Sequence, residues 1–112
     1  VDCMLAVADW CVRMGYLDPA ASYRGTYDTE AQTQAIVAGI GGLIPWGRKH
    51  FGEIGAAIVT EPSHGCVAVV GSRSNIQRQW GAIYDGDAMG WRVRFVDAYP
   101  VLKAQPLIIW KL

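Results

Sequence analysis

Val1-Asp2-Cys3-Met4-Leu5-Ala6-Val7-Ala8-Asp9-Trp10-Cys11-Val12 is the stretch on which the fold turns. Only Asp2 and Asp9 interrupt a run that is otherwise apolar, and apolar residues fall on nearly every side of a helix drawn through it. Such a helix belongs at the centre of a domain. The spacing predicts a helix from about Cys3 to Met14, with Asp2 as its N-cap and Gly15 as its C-terminal stop. A cysteine in the first turn of a helix sits where backbone N–H groups and the helix dipole favour the thiolate. Cys3 is therefore the candidate nucleophile. A plainer reading, a small apolar residue packed in a first turn, stands beside it.

Working outward, residues 15–27 read as an aromatic-rich connection with turns at Asp18-Pro19 and Arg24-Gly25. Thr29-Glu30-Ala31-Gln32 reads as a capping box that opens a second helix ending near Gly39. A third, shorter helical segment is expected from Pro45 toward Phe51. From Ile54 on the period becomes that of strands. Cys66–Val70, Trp80–Tyr84, Gly90–Val96 and Pro106–Leu112 are the expected strands, and Asp85-Gly86-Asp87 turns the second into the third. Trp91, Val93 and Phe95 alternate with Arg92 and Arg94, as on a strand with one buried and one wet face. Helices followed by an antiparallel sheet of about four to five strands make an α+β domain over residues 1–112.

Composition narrows the function. Ten basic residues balance ten acidic ones and neither sign forms a run, so no nucleic-acid partner is expected. A chain that is 52% hydrophobic and 18% charged folds into a packed domain. No apolar run approaches the ~20 residues of a membrane span. The first residues lack the basic-then-apolar pattern of a signal peptide, in a chain that starts at Val1. Cys3 and Cys11 are ~12 Å apart along one helix and cannot bridge. With Cys66 they form no Cys-x-x-Cys and no zinc spacing, so reduced thiols are expected and neither a metal nor a cofactor. Gly39, Gly41 and Gly42 are not followed by the Lys-Ser/Thr of a phosphate loop.

The buried helix with Asp2-Cys3 at its start, followed by a small antiparallel sheet, resembles the papain-like fold of the NlpC-type cell-wall cysteine peptidases. The series Asp2 to Trp10, Asp18-Pro19-Ala20-Ala21 and Tyr23-Arg24-Gly25-Thr26-Tyr27 is similar to a subgroup carried by tailed phages and gene transfer agents, among tail-tip and hub genes. The resemblance implies Cys3 as nucleophile and a histidine base opening a strand of the form His-Val-Gly-Ile-Tyr. Here that segment reads Gln79-Trp80-Gly81-Ala82-Ile83-Tyr84, with Trp80, or Gln79 after a one-residue slip, at the base position. Neither side chain accepts and returns a proton near neutral pH. His64, one strand away, is the alternative base, and His50 lies on the third helical segment or the loop after it.

The resemblance therefore implies a tail-tip or hub component on a degenerate scaffold, a pseudoenzyme with a structural or assembly role. Its expected partners are other phage tail proteins, and its place the virion tail or the host cytoplasm during assembly. The alternative is an active cysteine hydrolase cleaving peptidoglycan amides through Cys3 and His64. Other residues have local roles. Asp9 is expected to be buried and paired with Arg24. Trp10 and Trp110 are expected in the core, while Trp46, Trp80 and Trp91 are either core or partner surface. Arg73, Arg78, Arg92 and Arg94 form either a patch or a wet sheet face.

Overall fold

The computed structural model describes residues 3–21, 23–24, 30–95 and 97–112. The expected caps Asp2 and Thr29, and Gly25 of the second turn, lie outside these residues. Helix α1 spans Cys3–Arg13, α2 Glu30–Gly39 and α3 Leu43–Glu53. Strands follow as β1 (Ala57–Val59), β2 (Val67–Gly71), β3 (Gln79–Asp85), β4 (Gly90–Arg92), β5 (Val101–Leu102) and β6 (Pro106–Lys111). A 3-10 turn at Ile76–Arg78 leads into β3.

The sheet has six strands in the order β1-β6-β2-β3-β4-β5, and every neighbouring pair is antiparallel. The expectation of four to five strands is corrected by β1 and β5. Three and two residues long, they are too short to display a period. The third expected strand, Gly90–Val96, stops at Arg92 in the ladder. Beyond it the chain turns back toward β5, where Phe95 N–H donates to Ala98 O at 2.8 Å.

Alternation along β2 and β6 sorts the core into two layers. Val67 and Val69 of β2 join Ile108 and Trp110 of β6 beneath the helices, with Met4, Val7, Ala8 and Cys11 of α1 and Leu43, Trp46 and Phe51 of α3. Ala68, Val70 and Ile109 face the other way, into a layer with Cys66, Ala82, Trp91 and Val93. Both faces of the central strands are buried. That is why β2 reads as a continuous apolar run rather than an alternating one.

α1 is less enclosed than its composition suggests. It buries Met4, Val7, Ala8 and Cys11, whereas Val12 is 48% exposed and Met14 47%. Trp10, expected in the core, is half-buried and donates its ring N–H to Gly65 O at 2.8 Å. Trp110, Trp46 and Trp91 are buried, so of the three doubtful tryptophans only Trp80 reaches solvent in part.

Asp9 is exposed, not buried as expected, because it lies on the open side of α1. Arg24 does reach it, Nη2 to Oδ1 at 2.7 Å, but makes its two-point contact with Asp18. This ties the connection after α1 back to the helix. The hydrogen bond from Arg24 holds the Asp18 carboxyl below its ordinary value. A depressed folded value means stability that is present above the unfolded carboxyl's range and lost as pH falls through the folded one. Both partners are partly exposed, so Arg24→Ala should cost only ~0.5–1 kcal/mol at neutral pH. The difference in urea midpoint between variant and wild type should close as pH falls through the lowered range of the folded Asp18 carboxyl.

Candidate functional site

Cys3 opens α1, and its sulfur accepts a hydrogen bond from the Gly81 N–H of β3 at 3.2 Å. The thiol is half-buried and borders both core layers. Gly81 permits the approach: a Cβ there would strike Met4 Sδ and lie 3.2 Å from Val7 Cγ2. The start of α1 thus rests on a strand position that only glycine fills without displacement. A backbone N–H aimed at sulfur favours the thiolate, as does the helix terminus. Neither is a base.

The two positions expected to hold a base have other work. Gln79 is buried, its Oε1 accepting from Leu43 N–H at 3.3 Å and its Nε2 donating to Ser72 O at 2.9 Å. It caps α3 from across the domain, where Gly42 offers no side-chain cap of its own. Trp80 lies on the sheet face away from Val67 and Val69, its ring 6.3 Å from that of Phe95 and under the Arg78 guanidinium at 6.0 Å.

His64 is exposed in the turn before β2, and its Nδ1 accepts from Gly86 N–H at 2.9 Å. Cys3 meets β3 at Gly81, and His64 meets the chain just beyond the end of β3 at Asp85. Gly81 and Asp85 are four steps apart along the strand, ~13 Å of extended chain. The structure does not bring Cys3 and His64 together.

His50 is buried on α3, where sequence alone left a choice of helix or loop. Its Nδ1 is 2.9 Å from Glu53 Oε1 and its Nε2 3.1 Å from Tyr23 Oη. The Glu53 carboxylate accepts from Nδ1–H, and Nε2 shares the hydrogen bond with the tyrosine hydroxyl. Trp46 packs on the imidazole with ring centroids 4.8 Å apart, and Tyr23 meets it edge-on at 5.2 Å. The group fastens Tyr23 to α3. Its signal was the i,i+3 spacing of His50 and Glu53, which has meaning only once the helix is extended to Glu53.

Beside the Cys3 contact, α1 and the sheet leave a cleft of about 480 Å³ between them. Its walls include Leu5, Trp10 and Arg13 of α1, Ile83 of β3, and Arg94 and Tyr99 beyond β4. Ile83 pairs with Arg92 in the β3–β4 ladder, and the Trp80–Phe95 ring contact carries the same register onward. Arg94 is thereby level with Gly81, the strand position that meets Cys3. Of the two alternatives for the arginines, a shared patch is not what forms: Arg73 donates to Leu107 O, Arg78 covers Trp80, and Arg92 binds Asp85.

Residues 1–93 match the family described as Domain of unknown function (DUF6950). The chain belongs to the DUF6950 family. No curated protein and no solved structure matches it. The DUF6950 match takes in Cys3, His64 and the Gln79–Gly81 segment, and ends one residue before Arg94. Among the described residues no group of three or more His, Cys, Asp or Glu could hold a metal ion. Nor is any helix among them long and apolar enough to cross a membrane.

Proposed function

We propose that this chain is a tail-tip or hub-associated component of a phage tail or of a tail-like particle such as a gene transfer agent. It docks other tail proteins through a degenerate papain-like, NlpC-type domain and does not hydrolyse. Its place is the virion tail, or the bacterial cytoplasm while the tail assembles. The observation that carries this reading is the polar neighbour of the Cys3 sulfur on β3, a backbone N–H of Gly81 at 3.2 Å. An amide N–H cannot take the proton that a cysteine nucleophile must release, nor return one to a leaving amine. The strand residues before it, Gln79 and Trp80, are committed to capping α3 and to packing on Phe95.

A cysteine hydrolase acting on peptidoglycan amides is the second reading. One observation favours it: the sulfur sits at a helix start and receives an N–H, both of which stabilise a thiolate. Purified chain incubated with peptidoglycan stem peptides separates the two, and no cleavage is the expected result. Cleavage that disappears in Cys3→Ala would overturn the docking reading. Alkylation with iodoacetamide adds a second measure. Cys11, whose thiol burial pushes up to about 12, should label only on unfolding. Cys3 should label in the folded chain at a rate that His64→Ala leaves unchanged, whereas the hydrolase reading requires that rate to fall.

A further inference from the structure

The cleft between α1 and the sheet has a charge pattern that its neighbours among the described residues do not neutralise. At about 480 Å³ it lies within the ~300–1,000 Å³ usual for ligand sites. Leu5 and Ile83 give it an apolar wall. Trp10 adds a ring face, since its only polar atom is committed to Gly65 O. Asp9 and Arg24 border the cleft but pair with each other, and Arg24 is also held by Asp18. Arg13 and Arg94 make no ion pair among the described residues. The Arg94 guanidinium lies over the Tyr99 ring at 5.7 Å, which steadies it while leaving its in-plane N–H donors available.

These two cations are not adjacent. Arg94 is level with Gly81, and so with the first turn of α1, by the register of β3 and β4. Arg13 is the last residue of α1, ten positions after Cys3 and so ~15 Å along the axis. A single small anion would draw both guanidiniums toward one point, whereas an extended ligand meets each of them along its length. Two carboxylates four residues apart on an extended chain lie ~13 Å apart on one side of it, with the side chain midway between them directed to that same side.

We propose that this cleft binds an extended acidic segment of a neighbouring protein. Arg13 and Arg94 take carboxylates four residues apart, and the apolar side chain midway between them sits against Leu5, Trp10 and Ile83. Arginine suits the task because its planar fork meets a carboxylate with two parallel hydrogen bonds. The proposal rests on the docking reading and names the chemistry of the partner that the reading requires.

The test is a random heptapeptide library immobilised on beads and selected with the intact chain, in parallel with Arg13→Glu/Arg94→Glu. Both arginines are exposed, so the reversed chain should fold, and its urea midpoint should stay close to that of wild type. Wild type should enrich sequences with Asp or Glu at i and i+4 and an apolar residue at i+2. The double variant should bind those peptides at least about tenfold more weakly, and raised salt should weaken wild-type binding. Recovery of peptides without acidic pairs, or equal binding by the double variant, would overturn the proposal. So would complete displacement of the selected peptides by inorganic phosphate, the mark of a single-anion site. A chain that cleaves no stem peptide and selects no acidic pair sinks the cleft proposal alone. One that cleaves through Cys3 sinks the docking reading whatever the library returns.

Discussion

Trp110→Ala should lower stability by ~3–5 kcal/mol, the range for emptying a large aromatic from a core. Against a whole-domain stability of ~5–15 kcal/mol, that brings the chain close to unfolding at room temperature. Trp110 is 1% exposed and lies on β6, cross-strand from Ile58 of β1 on one side and Val67 of β2 on the other. Its ring centroid is 4.7 Å from that of Phe51 on α3. The helix comes this close because position 47 has no side chain. A Cβ on Gly47 would overlap the far edge of the indole and lie 2.9 Å from Cζ2 and 3.0 Å from Cζ3. Alanine in place of a mid-helix glycine ordinarily gains ~1 kcal/mol. Here Gly47→Ala should destabilise, since a flat ring held by Phe51 has no room to yield. Gly47→Ala made in a Trp110→Leu background should recover the helix-propensity gain. Urea denaturation of the four chains measures that coupling as a double-mutant cycle. A Trp110→Ala loss under ~1 kcal/mol would show that α3 and β6 are not held together by this ring.

How far the fold was legible depended on how many positions each element had to show a period. α1 announced itself through the apolar run from Cys3 to Val12, interrupted by Asp9 alone, and the observed helix ends at Arg13, one residue from the expected end at Met14. β2, β3 and β6 each had five residues or more, and their expected spans hold within one residue at each end. β1 and β5 had no such pattern. They exist because β6 and β4 offer open edges to them, a tertiary fact no local window carries. α3 was expected too short because Pro45 looked like a start signal, whereas it occupies the first turn, where proline is tolerated. The true start depends on Gln79, thirty-six residues away.

The site was legible in the same uneven way. That Cys3 would begin a helix followed from its neighbours. That its sulfur would face a glycine amide followed from nothing local, because Gly81 matters only through what a Cβ would hit. The pairing of Asp9 with Arg24 was readable from charge alone, yet the larger role of Asp18 was not. Asp18 sits in a turn, where its carboxylate also accepts from Ala20 N–H at 2.9 Å and so reads first as turn chemistry.

Gly71→Ala should be nearly as damaging as loss of Trp110, through backbone rather than core, at ~3–5 kcal/mol. Gly71 ends β2 with φ at +118°, a region that side-chain-bearing residues enter only at a cost. A Cβ there would also fall on the carbonyl oxygen of Arg78, which is backbone and cannot rotate away. That carbonyl accepts from Ser72 N–H at 2.8 Å, and Gly71 is paired across the ladder with Gln79. Moving Arg78 therefore moves Gln79, whose side chain joins Ser72 O to the first N–H of α3, and then Trp80 and Gly81, which receives Cys3. The consequence reaches the thiol through a short chain of covalent neighbours. Gly71→Ala should lower the urea midpoint, speed alkylation of Cys3, and speed hydrogen exchange at the Gly81 amide together. Gly39→Ala serves as the control: that glycine ends α2 with nothing within 4 Å of its Cβ position. It should be neutral or stabilising by up to ~1 kcal/mol and should leave Cys3 as it was. Unchanged alkylation in a Gly71→Ala chain that has lost stability would mean the start of α1 is positioned by the core packing of its own Met4 and Val7. The strand would then receive the sulfur without holding it in place.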